Sequence, residues 1–257
     1  MVASNVLSTK KVFGGKDNKV ISDAHPTYVT PDGLTFAVWG MIYLMLTVTT
    51  VAQALVSPES TAEELLTAKC AFTGLDTRSR LALAFLLNAV WLPVFSNEKF
   101  WAALLIMIGY LLVLLSTWRD VVNSTTVLDY VLVGMGVSMN SSWIVVATAV
   151  NTFLTLGEGG WKDKHGVSGS PVAGCIIAWL VAVLALLVLI LAADPAWAFV
   201  AAWALRGIYR MQTIENVDRF PTVALNKNVA LAAQITSFTV LFAAVFQLAV
   251  SVACGLK

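Results

Sequence analysis

Seven stretches of this chain stay apolar for long enough to approach the width of a bilayer. A hydrocarbon core of about 30 Å takes about 20 apolar residues in a helix, because each backbone amide must be satisfied within its own segment. The stretches run from about Leu34 to Val56, Leu81 to Phe95, Phe100 to Trp118, Val127 to Leu156, Val172 to Ala193, Ala196 to Ile208 and Val229 to Cys254. The second and third are separated only by Ser96, Asn97, Glu98 and Lys99, which demands an antiparallel helical hairpin. The fourth is long enough to tilt or to project from the bilayer, and the sixth is the shortest. Asp194 and Pro195 read as a tight turn between the fifth and sixth, with Pro well placed to start a helix. The pattern predicts an all-α, polytopic transmembrane helix bundle of about seven spans.

Composition leads to the same solvent. Hydrophobic residues make up 58% of the 257 and charged residues 12%, whereas a soluble domain carries about 25% charged residues. So few charges cannot cover a core this large, and lipid must take the remaining apolar surface. A net charge of +1 offers no basic field for nucleic acid, so partners are expected in the membrane: lipids and a hydrophobic small molecule. A homo-oligomer or a larger membrane complex is left open. Cys70, Cys175 and Cys254 are far apart and form no metal-ligand spacing, so they read as small buried residues. The segment Met1 to Pro31 is polar and carries no apolar core of a secretory signal.

Charge distribution fixes the expected topology. With seven spans, eleven Lys and Arg residues fall on the side of the N-terminus and five, Lys69, Arg78, Arg80, Arg119 and Lys257, on the other. That bias predicts an N-terminus on the cytoplasm-like side of an integral, multi-pass membrane protein, an organelle membrane being one option. If the sixth segment did not cross, the tally would become eight against eight. The connections are 1–33, 57–80 and a Gly-rich loop at 157–171 that lacks any phosphate-binding arrangement and reads as mobile. The implied organisation is a polar N-terminal segment 1–33, a four-helix core 34–156, the loop, and a three-helix extension 172–257.

The spans hold hardly any ionisable groups near their centres, which argues against a pump or an ion-coupled carrier. A retinal Schiff base would need a lysine in the middle of the last helix, and Val229 to Cys254 has none. His25 and His165 lie in loops, where a lone histidine is usually solvated, so a haem or di-metal site in the bundle lacks ligands. What the spans contain is amide groups beside aromatic rings: Asn88 with Trp91, Asn140 with Trp143, Asn151 further along, and Trp39 with Tyr43. The spacings put Trp39 and Tyr43, Asn88 and Trp91, and Trp143 and Asn151 each on one helical face. Two readings stay open at this point. The asparagines are interhelical glue, with Trp and Tyr as interfacial anchors, or they orient a flat ligand in an aromatic cavity.

The run Pro31-Asp32-Gly33-Leu34-Thr35-Phe36-Ala37-Val38-Trp39-Gly40-Met41-Ile42-Tyr43 resembles the P-x-x-x-x-F-x-x-x-W-x-x-x-Y signature of the tryptophan-rich sensory proteins, the family that includes the mitochondrial translocator protein. Leu87-Asn88-Ala89-Val90-Trp91-Leu92-Pro93-Val94-Phe95 is similar to its L-N-x-x-W-x-P-x-F helix, and Trp143 with Asn151 matches its W-x(7)-N pair. The matching region covers about residues 28 to 156. Family members usually have five spans, so the resemblance is to a longer, divergent branch. Met139-Asn140 stands where the family commonly has Pro-Tyr.

The resemblance implies binding or transport of a tetrapyrrole (porphyrin), sterol or related flat lipid, with Trp39, Tyr43, Asn88, Trp91, Trp143 and Asn151 as pocket residues and the neighbouring Asn140 added. No cofactor follows with certainty. The spans offer no nucleophile, paired carboxylates or metal set, so the chain reads as a non-enzyme. Two other functions remain as alternatives: an accessory subunit of a larger photosynthetic or respiratory complex, and a uniporter of a small neutral solute.

Overall fold

A computed structural model describes residues 18–122, 124, 126–213 and 226–253. Among them, nine helices follow one another: α1 (Asn18–Ala24), α2 (Val38–Leu55, entered by a 3-10 turn at Gly33–Ala37), α3 (Thr61–Thr67), α4 (Thr77–Ser96), α5 (Phe100–Val121), α6 (Val127–Glu158), α7 (Pro171–Ala192), α8 (Pro195–Thr213) and α9 (Lys227–Ala253). No strand occurs among the described residues, only isolated bridges. The protein is an all-α, multi-pass helix bundle. Cys254 and the charges Lys10, Lys11, Lys16, Arg219 and Lys257 lie outside the described residues.

Helix boundaries follow local chemistry. Asp76, Ser60, Thr126 and Ser170 each cap a helix by accepting a hydrogen bond from a first-turn amide, as their short polar side chains favour. Pro171 and Pro195 begin α7 and α8, where a missing N–H costs nothing. Ala193 adopts the left-handed conformation that ends α7. The short connections after α4, α5 and α7 force antiparallel neighbours.

All seven expected segments are helices of 18 residues or more, and six are long and apolar enough to cross a membrane. The exception is α8. It is 19 residues long, about 28 Å at helical rise, but it faces protein more than lipid. Trp197, Ala198, Ala201, Ala204, Leu205 and Ile208 are each 1% exposed or less. Burial among α6, α7 and α9 relieves α8 of the apolarity a lipid-facing helix needs. By contrast α7 carries exposed Val172, Ile176, Trp179, Leu180, Leu187 and Leu191 towards lipid.

The hub is α6, which contacts α2, α5, α7 and α8. Its small residues permit close approach: a Cβ on Gly136 would meet the backbone of Met45 and Leu46 at 3.0 Å. A π-helical stretch at Tyr130–Gly134 interrupts its first turns. There the Tyr130 hydroxyl donates to Asp194 at 2.5 Å, Trp118 Nε1 donates to the same carboxylate at 2.7 Å and the Trp197 amide donates at 3.1 Å. Asp194, expected as a simple turn residue, is fully buried and joins α5, α6 and α8. On the same face of the bundle, buried Arg80 pairs with Asp120 at 2.6 Å and donates to the Ser116 and Ala68 carbonyls.

The opposite face is closed by a clasp between the entry to α2 and the end of α8. The Asp32 amide donates to the Gly207 carbonyl at 3.1 Å, Arg210 pairs with Asp32 at 2.9 Å, and Trp203 Nε1 donates to the Thr35 carbonyl at 2.9 Å. The Thr35 hydroxyl also donates to Asp32, which caps the 3-10 turn. A Cβ on Gly207 would lie 2.0 Å from Thr35 Oγ1, so only glycine permits this approach.

Three expectations need correcting. The 157–171 loop, expected as mobile, is tied down: Tyr28 donates to Asp163 at 2.6 Å, the Ser168 amide donates to the Pro26 carbonyl at 2.8 Å, and Gly169 sits against Phe153. His25 is not simply solvated, because it bonds Glu98 at 2.9 Å and packs edge-on to Phe100. Cys70 and Cys175 are free but only half-buried, not enclosed in the core.

Desolvation pulls the Asp163 carboxyl up, yet bonds from Tyr28 and the amides of Val167 and His165 outweigh it and hold the group below the ordinary aspartate range. Its folded value is depressed, so its contribution is complete above the unfolded value of about 3.9 and disappears as pH falls through the lowered one. Hydrogen exchange of the 157–170 amides should therefore be unchanged from neutral pH to about pH 4 after correction for intrinsic rates, and Asp163→Ala should raise it throughout. Gly207→Ala should cost about 1–3 kcal/mol, read as a lowered thermal midpoint in detergent; an unchanged midpoint would disprove the tight clasp.

Candidate functional site

Five of the seven candidate residues meet in one place. Helical spacing aligns Asn88, Trp91 and Phe95 on α4 and Trp143, Ala147, Asn151 and Leu154 on α6, and these stripes face each other. Phe36 and Trp39 enter from the start of α2, Met107 from α5, and Ser22, Thr30 and Pro31 close the end nearest the N-terminal segment. They enclose a cavity of about 60 Å³. Aromatic contacts fix its walls: Phe36 and Trp39 approach Trp143 edge-on at 5.5 and 6.0 Å between centroids, and Trp91 stacks on Phe95 at 4.7 Å.

The polar groups of the lining are few and unevenly satisfied. Asn151 Nδ2 donates to the Ala147 carbonyl at 3.0 Å, but Asn151 Oδ1 is buried with no hydrogen-bond partner among the described residues. Trp91 Nε1 is in the same condition. One acceptor and one donor are thus left unmatched in residues that line a largely apolar space, beside the polar Ser22, Thr30 and Asn88. A buried polar atom without a partner costs about 1–3 kcal/mol, so this arrangement is unusual in a well-packed interior.

The other two candidates lie outside the lining. Tyr43 stacks on Trp39 at 5.1 Å and so backs one wall. Asn140 exchanges two hydrogen bonds with Tyr110: its Nδ2 donates at 2.7 Å and the phenol donates to Oδ1 at 3.1 Å. That closed pair joins α5 to α6, the glue reading of a membrane asparagine. Phe36 lay within the quoted motif but was not picked out as a site residue, and Met107 and Ser22 carried no signal, since only packing brings them here. No group of three metal-binding side chains occurs among the described residues.

A likeness to a known family covers nearly the whole chain: the family described as TSPO-like protein matches residues 1–246. The chain belongs to the TSPO-like protein family. The match includes α7, α8 and most of α9, so membership extends well past the 28–156 region that carries the motifs. No curated protein and no solved structure matches the chain significantly.

The Tyr110–Asn140 pair and the cavity can be separated experimentally. Tyr110→Phe strands the Asn140 amide in the interior and should lower stability by about 1–3 kcal/mol. A detergent-solubilised Tyr110→Phe protein with an undiminished thermal midpoint would show that the pair is not structural glue.

Proposed function

We propose that this chain binds a flat hydrophobic ligand, a tetrapyrrole, sterol or related lipid, within the bundle, and that it acts as a membrane receptor or carrier and not as an enzyme. The observation that carries this reading is an aromatic cavity whose lining residues Trp91 and Asn151 each keep one buried polar atom, a donor and an acceptor, without a partner among the described residues. A ligand with an apolar ring system and one polar edge satisfies both atoms while stacking on Trp39, Trp91 or Trp143. Membership of the TSPO-like family supports the same class of ligand.

Size sets a condition on the mechanism. Ligand pockets usually measure about 300–1,000 Å³, against about 60 Å³ here, so binding requires the cavity to open. The element placed to move is α1. It is seven residues long, lays Ser22 against the cavity and Ile21 in the core, and is tethered by the neighbouring His25 to Glu98. Displacing it uncovers the end of the cavity without breaking contacts between the long helices.

Protoporphyrin should quench the tryptophan fluorescence of the detergent-solubilised protein saturably, nine tryptophans leaving signal in every variant. Trp91→Ala and Trp143→Ala should each weaken binding about tenfold, ~1.4 kcal/mol, while Tyr110→Phe leaves affinity unchanged. Unaltered affinity in both tryptophan variants would sink the pocket assignment.

The cavity's volume favours one second reading. A small neutral solute fits about 60 Å³ without rearrangement, as a passive uniporter would require. Gradient-independent uptake of such a solute into proteoliposomes, with no protoporphyrin binding, would establish it instead.

A further inference from the structure

A second and larger space opens sideways from the bundle, about 610 Å³ between α2, α6, α8 and α9. Met41, Met139, Phe199, Trp203, Phe238 and Leu241 line it. Met41 and Phe238 are 52% and 53% exposed, so the groove faces the lipid. Among the described residues, Arg206 is its only ionisable lining residue.

Half-buried Arg206 differs from Arg80 and Arg210. Arg210, one turn further on, pairs with Asp32 at 2.9 Å, and Arg80 pairs with Asp120 at 2.6 Å. The Arg206 guanidinium instead lies over the ring of Tyr209 at 4.4 Å and that of Phe238 at 5.4 Å. Its Nη1 is buried with no acceptor, and no carboxylate among the described residues comes within ion-pair distance. Aromatic faces attract a guanidinium, but they do not replace the directional acceptor that a desolvated N–H needs.

Position makes the missing acceptor an anion at the membrane surface. Arg206 stands seven residues before the end of α8 at Thr213, about 10 Å by helical rise, within reach of a long side chain. From Arg206 the groove runs to Ala196, ten residues and about 15 Å along α8. A cation near one leaflet with an apolar slot leading inward from it matches an anionic head on one acyl chain. Of the anionic amphiphiles available, the phospholipid of the surrounding leaflet reaches the groove without leaving the bilayer. We propose that this groove holds an anionic phospholipid, whose phosphate pairs with the Arg206 guanidinium and one of whose acyl chains lies along the Met- and Phe-lined slot. This site is separate from the aromatic cavity and does not depend on the ligand proposed there.

The test presents the purified full chain in neutral detergent with equimolar dioleoyl phosphatidylglycerol and dioleoyl phosphatidylcholine, and counts retained lipid by native mass spectrometry. Phosphatidylglycerol should be retained about tenfold more than phosphatidylcholine, because both offer a phosphate to Arg206 but the choline cation offsets that charge and is repelled by the guanidinium. Arg206→Gln should erase the preference, and Arg119→Gln, an exposed arginine outside the groove, should preserve it. Met41→Trp fills the slot from the lipid side and leaves Arg206 in place, so it should cut phosphatidylglycerol retention in a protein that still folds. Equal retention of the two lipids overturns the proposal, as does a preference that survives Arg206→Gln or a folded Met41→Trp. Equimolar oleate displacing phosphatidylglycerol would overturn the choice of a phospholipid. Protoporphyrin quenching measured on Met41→Trp should be unchanged, which separates this site from the cavity.

Discussion

The close approach of Gly207 to Thr35 holds the entry of α2 against the last turns of α8. Residues 168 to 178 positions apart in the chain meet there, through the Asp32 amide, the Arg210 ion pair and the Trp203 indole. Its consequence reaches the cavity, because Thr35 leads directly into Phe36 and Trp39, whose rings form one wall. The glycine that admits the hydroxyl and the carboxylate that caps the 3-10 turn thus set the angle at which α2 presents its aromatic side chains.

Polar groups inside the bundle fall into two kinds. Asp194, Arg80 and the Tyr110–Asn140 pair are buried and fully engaged, each linking two or more helices. Such networks replace hydrophobic association, which lipid does not drive. Trp91 Nε1, Asn151 Oδ1 and Arg206 Nη1 are buried without protein acceptors or donors among the described residues. Each of these belongs to a residue that lines a cavity or groove, unlike Tyr43 Oη, Trp197 Nε1 and the hydroxyls of Ser138, Ser141 and Ser142, which are also buried without a partner among the described residues. Our two functional readings rest on that contrast: the first kind is architecture, and the second needs something the described residues do not supply.

The helix count illustrates how solvent writes sequence. Hydropathy located α2, α4, α5, α6, α7 and α9 within a few residues, because lipid-facing helices must be apolar along most of their length. It left α8 short, ending near Ile208 where the helix continues to Thr213. Arg210 and Gln212 lie in that last part, and neighbouring chain surrounds them in place of lipid. The loop at 157–171 misled in the opposite sense. Its glycines suggested mobility, but Gly157 and Gly169 serve close contacts with Ser168 and Phe153.

The sequence by itself determined the solvent, the all-α class, the approximate span limits and the facing stripes on α4 and α6, since apolar length and helical period are local properties. It also marked a set of seven residues, Tyr43 and Asn140 together with the five Trp39, Asn88, Trp91, Trp143 and Asn151. Only the tertiary structure decided that those five surround a cavity of about 60 Å³, that Asn140 is spent on Tyr110, and that Asp194 is a buried junction. It alone left Arg206 unpaired while Arg210 found Asp32. Whether an amide or guanidinium is satisfied depends on partners dozens of residues away, and no local pattern carries that information.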